Sequence, residues 1–147
     1  EEKSELFNPS KDFVILTQSE FDKIVTSKST CDKQDMTSVY LNIKKFINFG
    51  SSSNRLCYPS HIILCRDCHI KSTGAMNNIV DALINDKLIH KYNAGRYKDT
   101  NGFLKYVNNL YALEDGILKP DICDEIIKAH YLSQGITIDK FIRNKNV

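Results

Sequence analysis

Residues 72–88, Ser-Thr-Gly-Ala-Met-Asn-Asn-Ile-Val-Asp-Ala-Leu-Ile-Asn-Asp-Lys-Leu, are the stretch from which the rest of the chain is read. Met76, Ile79, Val80, Leu83 and Ile84 recur at the spacing of an amphipathic helix, and Leu88 continues the series. Ser72 or Thr73 supplies an N-cap, because a short hydroxyl side chain can accept from the first free amides of a helix. A helix is therefore expected over residues 75–92.

Working outward, the same pattern predicts mostly helices. After a basic, glycine-containing loop at 93–102, residues 103–113 read as a helix with Leu104, Val107, Leu110 and Tyr111 facing in. Pro120 opens a helix to about residue 132, with Ile122, Cys123, Ile126, Ile127 and Tyr131 inward. Gly135 breaks it, and Thr137 opens a short last helix over 138–144. Toward the N-terminus, 56–58 is extended and Pro59 opens a short helix through Cys68. Residues 51–54 read as a linker. Residues 33–48 form a helix on Met36, Val39, Tyr40, Ile43, Phe46 and Ile47. A polar loop at 27–32 and a helix at 20–26, capped by Thr17 or Ser19, precede it. Residues 12–17 are a strand or buried extended segment, and 1–11 a polar tail. The expected fold is mainly all-α: a compact bundle of about five short helices, with one small strand pair at most. Its parts are an N-terminal extension, 1–50, packing on a domain at 51–147.

Composition narrows the function. The chain has 147 residues, 41% hydrophobic and 26% charged, which excludes global disorder. No apolar run approaches the roughly 20 residues that span a bilayer, so no membrane partner is expected. A start at Glu1 reads as a fragment or processed form. The five cysteines, 31, 57, 65, 68 and 123, are an odd number and read as free thiols in a reducing compartment, not as a disulfide framework.

Cys57, His61, Cys65, Cys68 and His69 are soft ligands in a short span. On one helix the distance from Cys57 to Cys68 would be roughly 16 Å, too far for one tetrahedral ion. No second Cys-x2-Cys pair exists, and no βαβ context supports a redox dithiol. The Gly-x4-Gly-Lys-Ser/Thr, Gly-x-Gly-x2-Gly and Gly-x-Ser-x-Gly patterns are also missing. No catalytic residue, metal or cofactor is assigned, and the chain is read as a non-enzyme.

Net charge is +2, from 20 Lys+Arg against 18 Asp+Glu. The total hides a distribution. Residues 1–50 hold 7 basic and 8 acidic residues, and 51–147 hold 13 and 10. Lys87, Lys91, Arg96 and Lys98 lie between Asp86 and Asp99 with no acid among them, interleaved with Tyr92 and Tyr97. Lys140, Arg143 and Lys145 close the chain with Asn144 and Asn146. Lys71, Ser72 and Thr73 sit at a helix start. Lys and Arg neutralise phosphates, helix N-termini add donors, and Arg and Asn read base edges.

The order of 56–144 resembles the BEN domain, an all-α DNA-binding and protein-interaction module. Carrying the resemblance are Leu56-Cys57-Tyr58, then Ser72-Thr73 into Met76-x2-Ile79-Val80-x-Ala82-Leu83-Ile84, then Asn85-Asp86-Lys87-Leu88. Ala112-Leu113, Leu118-Lys119-Pro120-Asp121-Ile122 and residues 138–144 complete it. Asn77 or Asn78 stands where a basic residue is typical, and Lys119-Pro120-Asp121 is shifted against the family's Asp-Pro. The resemblance implies double-stranded DNA as partner. It points to Lys128, His130, Thr137, Lys140, Arg143, Asn144 and Lys145 at the closing helix, with Arg96 and Lys98 on phosphates. Lys71 joins them from the charge reading. The alternative is an interaction or self-association module. BEN domains occur in metazoan chromatin regulators and in poxvirus proteins of the cytoplasmic DNA factory. The 17 Ile, 16 Lys and 13 Asn suit the viral branch, hence host cytoplasm, with the nucleus otherwise.

Overall fold

A computed structural model describes residues 14–49, 56–116 and 118–143. In chain order they form α1 (Gln18–Val25), α2 (Lys33–Phe49), β1 (Leu56–Cys57), α3 (His61–Cys68), α4 (Thr73–Asn85), β2 (Ile89–Tyr92), β3 (Arg96–Lys98), β4 (Leu104–Tyr106), β5 (Leu110–Leu113) and α5 (Pro120–Ser133). The fold is mixed α/β, which overturns the all-α expectation. The tail at 1–11 and the linker at 51–54 lie outside the described residues.

Local chemistry starts each helix. Thr17 and Glu20 form a reciprocal capping box on α1. Asp32 accepts from the Asp35 amide at the start of α2. Ser60 and Ser72 cap α3 and α4 through the amides of Ile63 and Ala75. Pro120 occupies the first turn of α5, where its missing N–H costs nothing.

Strand order is β1-β5-β2, all antiparallel, with Leu56 opposite Ala112 and Ile89 opposite Leu113. β5 is the central strand, and all four of its residues are buried. Its alternation divides the core. Tyr111 and Leu113 join the cluster built from α1, α2, α3 and α4, with Met36, Tyr40, Ile43, Leu64, Met76 and Leu83. Leu110 and Ala112 join a second cluster with Ala94, Tyr97, Val107, Cys123, Ile127 and Tyr131, covered by α5. The sheet thus carries α1–α4 on one face and α5 on the other.

The expected helix at 103–113 is β4, a short connection and β5. A four-residue apolar run buried on both faces has no strand periodicity, so Leu104, Val107, Leu110 and Tyr111 imitated a helical stripe. Leu104 is 48% exposed, not inward. The helix expected to reach residue 92 ends at Asn85. Lys87 adopts a left-handed conformation (φ 62°), and the Leu88 amide bonds back to Leu83 O. The next residues, Ile-His-Lys-Tyr, form β2. The loop at 93–102 contains β3, and β3 pairs with β4 with Arg96 opposite Tyr106. The closing helix at 138–144 is not observed in residues 138–143. Ile142 instead makes an antiparallel bridge to Arg96. Ile122, expected inward on α5, is 55% exposed. Residues 14–17 of the first apolar run belong to no strand. Helix α3 begins at His61, so Cys57 lies on β1 and not on a helix with Cys65 and Cys68.

Candidate nucleic-acid interface

Helices α3 and α4 are joined by four residues, 69–72, the length of the turn in a helix–turn–helix. His69 ends α3 in the left-handed region (φ 57°), its amide bonding to Cys65 O. Ile70 tucks into the core, and Ser72 then caps α4. The inner face of α4 is Met76, Ile79, Val80, Ala82 and Leu83, all buried. Its outer face is Thr73, Gly74, Asn77, Asn78, Asp81 and Asn85, all exposed. That face is polar and holds no cation of its own. Lys71 precedes it and is exposed, and Lys91 of β2 lies 3.8 Å from Asp81, offsetting the one carboxylate.

Between β2 and β5 the chain extends into a wing whose tip is the β3–β4 hairpin. Its neck is fastened by side-chain amides. Asn93 donates to Asn109 Oδ1 at 2.7 Å, and the Gly95 amide donates to Asn93 Oδ1 at 2.8 Å. Val107 N bonds Gly95 O at 3.0 Å. Gly95 has φ +100°, and a Cβ there would lie 2.5 Å from Ile142 O. Glycine is required at this point, because the 141–143 segment approaches the wing backbone directly.

The residues expected to touch DNA fall into three groups. Lys98, Thr137 and Lys140 converge, with Thr100, Asp99, Asp139 and Ile142, around a cleft of about 550 Å³ beside the wing. Arg96 lies half-buried on β3 at 5.8 Å over the Tyr106 ring. Lys71 is exposed in the four-residue turn between α3 and α4. By contrast, His130 is stacked on Tyr58, ring centroids 4.2 Å apart, and burial lowers its pKa. Lys128 sits 4.0 Å from Glu125 and over the Phe141 ring. Arg143 is held by Asp124 at 2.6 Å, and this hydrogen bond is the largest cause of its raised pKa. Asn144 and Lys145 lie outside the described residues.

Asn77 and Asn78 entered the sequence reading only as departures from a family pattern. Their signal was local: they fall off the apolar stripe of α4. Tyr106 and Lys105 were hidden by the mistaken helix.

The cysteine–histidine span disperses. Cys57 is buried and its thiol pKa is pushed up to about 12 by desolvation. His61 Nε2 is 2.7 Å from Tyr111 Oη. Cys65 donates to Ser72 O, and Asn42 donates to Cys68 Sγ. Among the described residues no group of three or more His, Cys, Asp or Glu is placed to hold a metal. No described helix is long and apolar enough to cross a membrane.

Comparison with family models, with curated proteins and with solved structures finds no match to this chain.

Proposed function

We propose that this chain is a non-enzymatic double-stranded DNA-binding module that presents α4 to the major groove and lays its wing along the backbone. The observation that carries the reading is the outer face of α4. Six outward positions are small or polar, three of them exposed asparagines, on the second helix of a helix–turn–helix. Asparagine pairs bidentately with adenine, and Thr73 and Gly74 leave the helix N-terminus open to a phosphate. Lys71 precedes this face and Lys91 reaches its Asp81, while Arg96, Lys98, Lys105 and Lys140 lie on or beside the wing. This reading stands on α3, α4 and the wing, not on a closing helix. BEN membership, and with it a viral DNA factory in the host cytoplasm, is proposed only on the residues quoted for it.

Titrating the purified chain against a labelled duplex at several salt concentrations tests the reading. If all six cations engage phosphates, log affinity falls against log salt with a slope of about −5. Lys71→Glu with Lys91→Glu should weaken binding to every sequence. Affinity that ignores both salt and these changes would sink the DNA reading.

One observation favours a second reading, an interaction or self-association module. Ile15, just before α1, and Phe21 and Val25, one turn apart on it, are each close to half exposed. Sedimentation of the free chain at rising concentration separates the two. A salt-insensitive dimer lost in Phe21→Ser would favour it.

A further inference from the structure

We infer that the outer face of the β3–β4 hairpin stacks unpaired bases, so that the protein engages a junction between duplex and single-stranded nucleic acid. The inference deepens the duplex reading of α4 and rests on it for the duplex half of the junction.

Tyr106 is the first observation. It is 81% exposed, whereas Tyr40, Tyr97, Tyr111 and Tyr131 are buried and Tyr58 and Tyr92 are partly so. Phe103, at the turn into the same strand, is 67% exposed. All of β4 faces solvent. Phe103 lies at the hairpin turn and Tyr106 at the open end of the hairpin, opposite Arg96, and neither ring serves this chain's own core.

Register supplies the second. Arg96 pairs with Tyr106 and Lys98 with Leu104, and directly opposed residues share a face. That face therefore carries two cations, an aromatic ring and an aliphatic side chain. The one acid in the hairpin is Asp99, and it is bonded within the turn. Its Oδ1 accepts from the amides of Asn101 and Phe103, both at 2.9 Å, and its Oδ2 is 3.7 Å from Lys105. No free carboxylate opposes a phosphate on this face.

The adjoining cleft is the third. Lys98, Lys140, Thr100 and Thr137 line one opening of about 550 Å³, together with Asp99 and Asp139. A backbone whose base stacks on Tyr106 finds Arg96 and Lys98 on the same face, and Lys98 also lines the cleft. Aromatic rings beside a cationic track are the chemistry that holds single strands without reading sequence, since every base has a π-face.

The test compares three probes on the full chain: a blunt duplex, the same duplex with a six-nucleotide thymidine overhang, and the thymidine oligonucleotide alone. The overhang should raise affinity by at least about fivefold, the gain from one stacked base. Tyr106→Ser should lower affinity for the overhung duplex more than for the blunt one, abolishing that gain, and leave the melting temperature unchanged, because the side chain is exposed. Tyr106→Phe should restore the gain. 2-Aminopurine placed in the overhang should be quenched on binding by the parent and not by the serine variant. Equal affinity for blunt and overhung duplexes, or a gain that survives the serine variant, overturns the proposal. Blunt duplex ignored but the oligonucleotide bound through Tyr106 would sink the duplex reading and leave the hairpin platform standing. Loss of self-association in the serine variant, with oligonucleotide binding intact, would assign the hairpin to a protein partner and overturn it.

Discussion

Arg143 donates to Asp124 Oδ1 at 2.6 Å and to the Tyr92 hydroxyl at 3.0 Å. Tyr92 donates to the same carboxylate oxygen at 2.7 Å. The three side chains tie the 141–143 segment to α5 and β2 at once, and the guanidinium also lies 5.5 Å over the Phe141 ring. Arg143 is thus a fastening before it is a DNA contact. Arg143→Ala should lower stability by about 1 kcal/mol, the upper range for a partly exposed ion pair held in a network. Asp124→Asn should do the same, and the double variant should cost less than the sum of the two. Urea midpoints of the four proteins check this. Arg143→Ala should change the salt dependence of DNA binding less than Lys98→Ala does.

Gly95 controls the same segment from the wing side. Gly95→Ala places a Cβ at 2.5 Å from Ile142 O on a residue with positive φ. It should cost more than about 1 kcal/mol. The specific sign is amide exchange: Ile142 N now bonds Arg96 O at 2.7 Å and should lose protection in the variant, while α2 and α4 keep theirs.

Acid should destabilise the fold before the carboxylates titrate. Burial lowers the pKa of His61 and of His130 below the ordinary 6.5. A group whose folded pKa is depressed binds fewer protons folded than unfolded. Its stability is complete above about 6.5 and is lost as pH falls from there through the folded value. The difference in urea midpoint between pH 7.5 and pH 5.5 should shrink in the His61→Asn, His130→Phe double variant. In alkali the sign reverses. Burial raises Tyr111 to about 12, and burial with Asp124 raises Tyr92 to about 12, so stability should fall as pH rises from 10 through 12.

On α4, Asn78→Ala should leave folding intact, since its side chain is exposed, whereas Asn77→Ala also removes a hydrogen bond to His61 and should cost a little stability. Each should reduce discrimination between preferred and scrambled duplexes by about 1–3 kcal/mol if it reads a base edge. Competition binding against a randomised duplex pool measures this. A uniform loss across sequences would assign the pair to the backbone instead.

Much of the helical half was legible in the chain. Thr17 and Ser72 lie immediately before helices, though the helix expected to open at Pro59 starts at His61 with Ser60 as its cap, and the stripes of α2 and α4 face the core as their spacing required. Capping and 3.6-residue periodicity are local, so a single segment contains the whole signal. The sheet half was not legible. Leu110-Tyr111-Ala112-Leu113 is apolar throughout because two clusters need it, Leu110 and Ala112 on one face and Tyr111 and Leu113 on the other.

What the amino-acid sequence determined by itself was where α1, α2, α4 and α5 begin, which stripes of α2 and α4 face inward, and that positive charge gathers in the second part of the chain. What only the tertiary structure decided was that residues 89–113 are strands and a wing, that Lys98, Thr137 and Lys140 meet at one cleft, and that Arg143 is paired. The physical reason is range. A strand is defined by partners far away in sequence, as Ala112 is by Leu56 and His90, and no window of sequence contains both sides of that pairing.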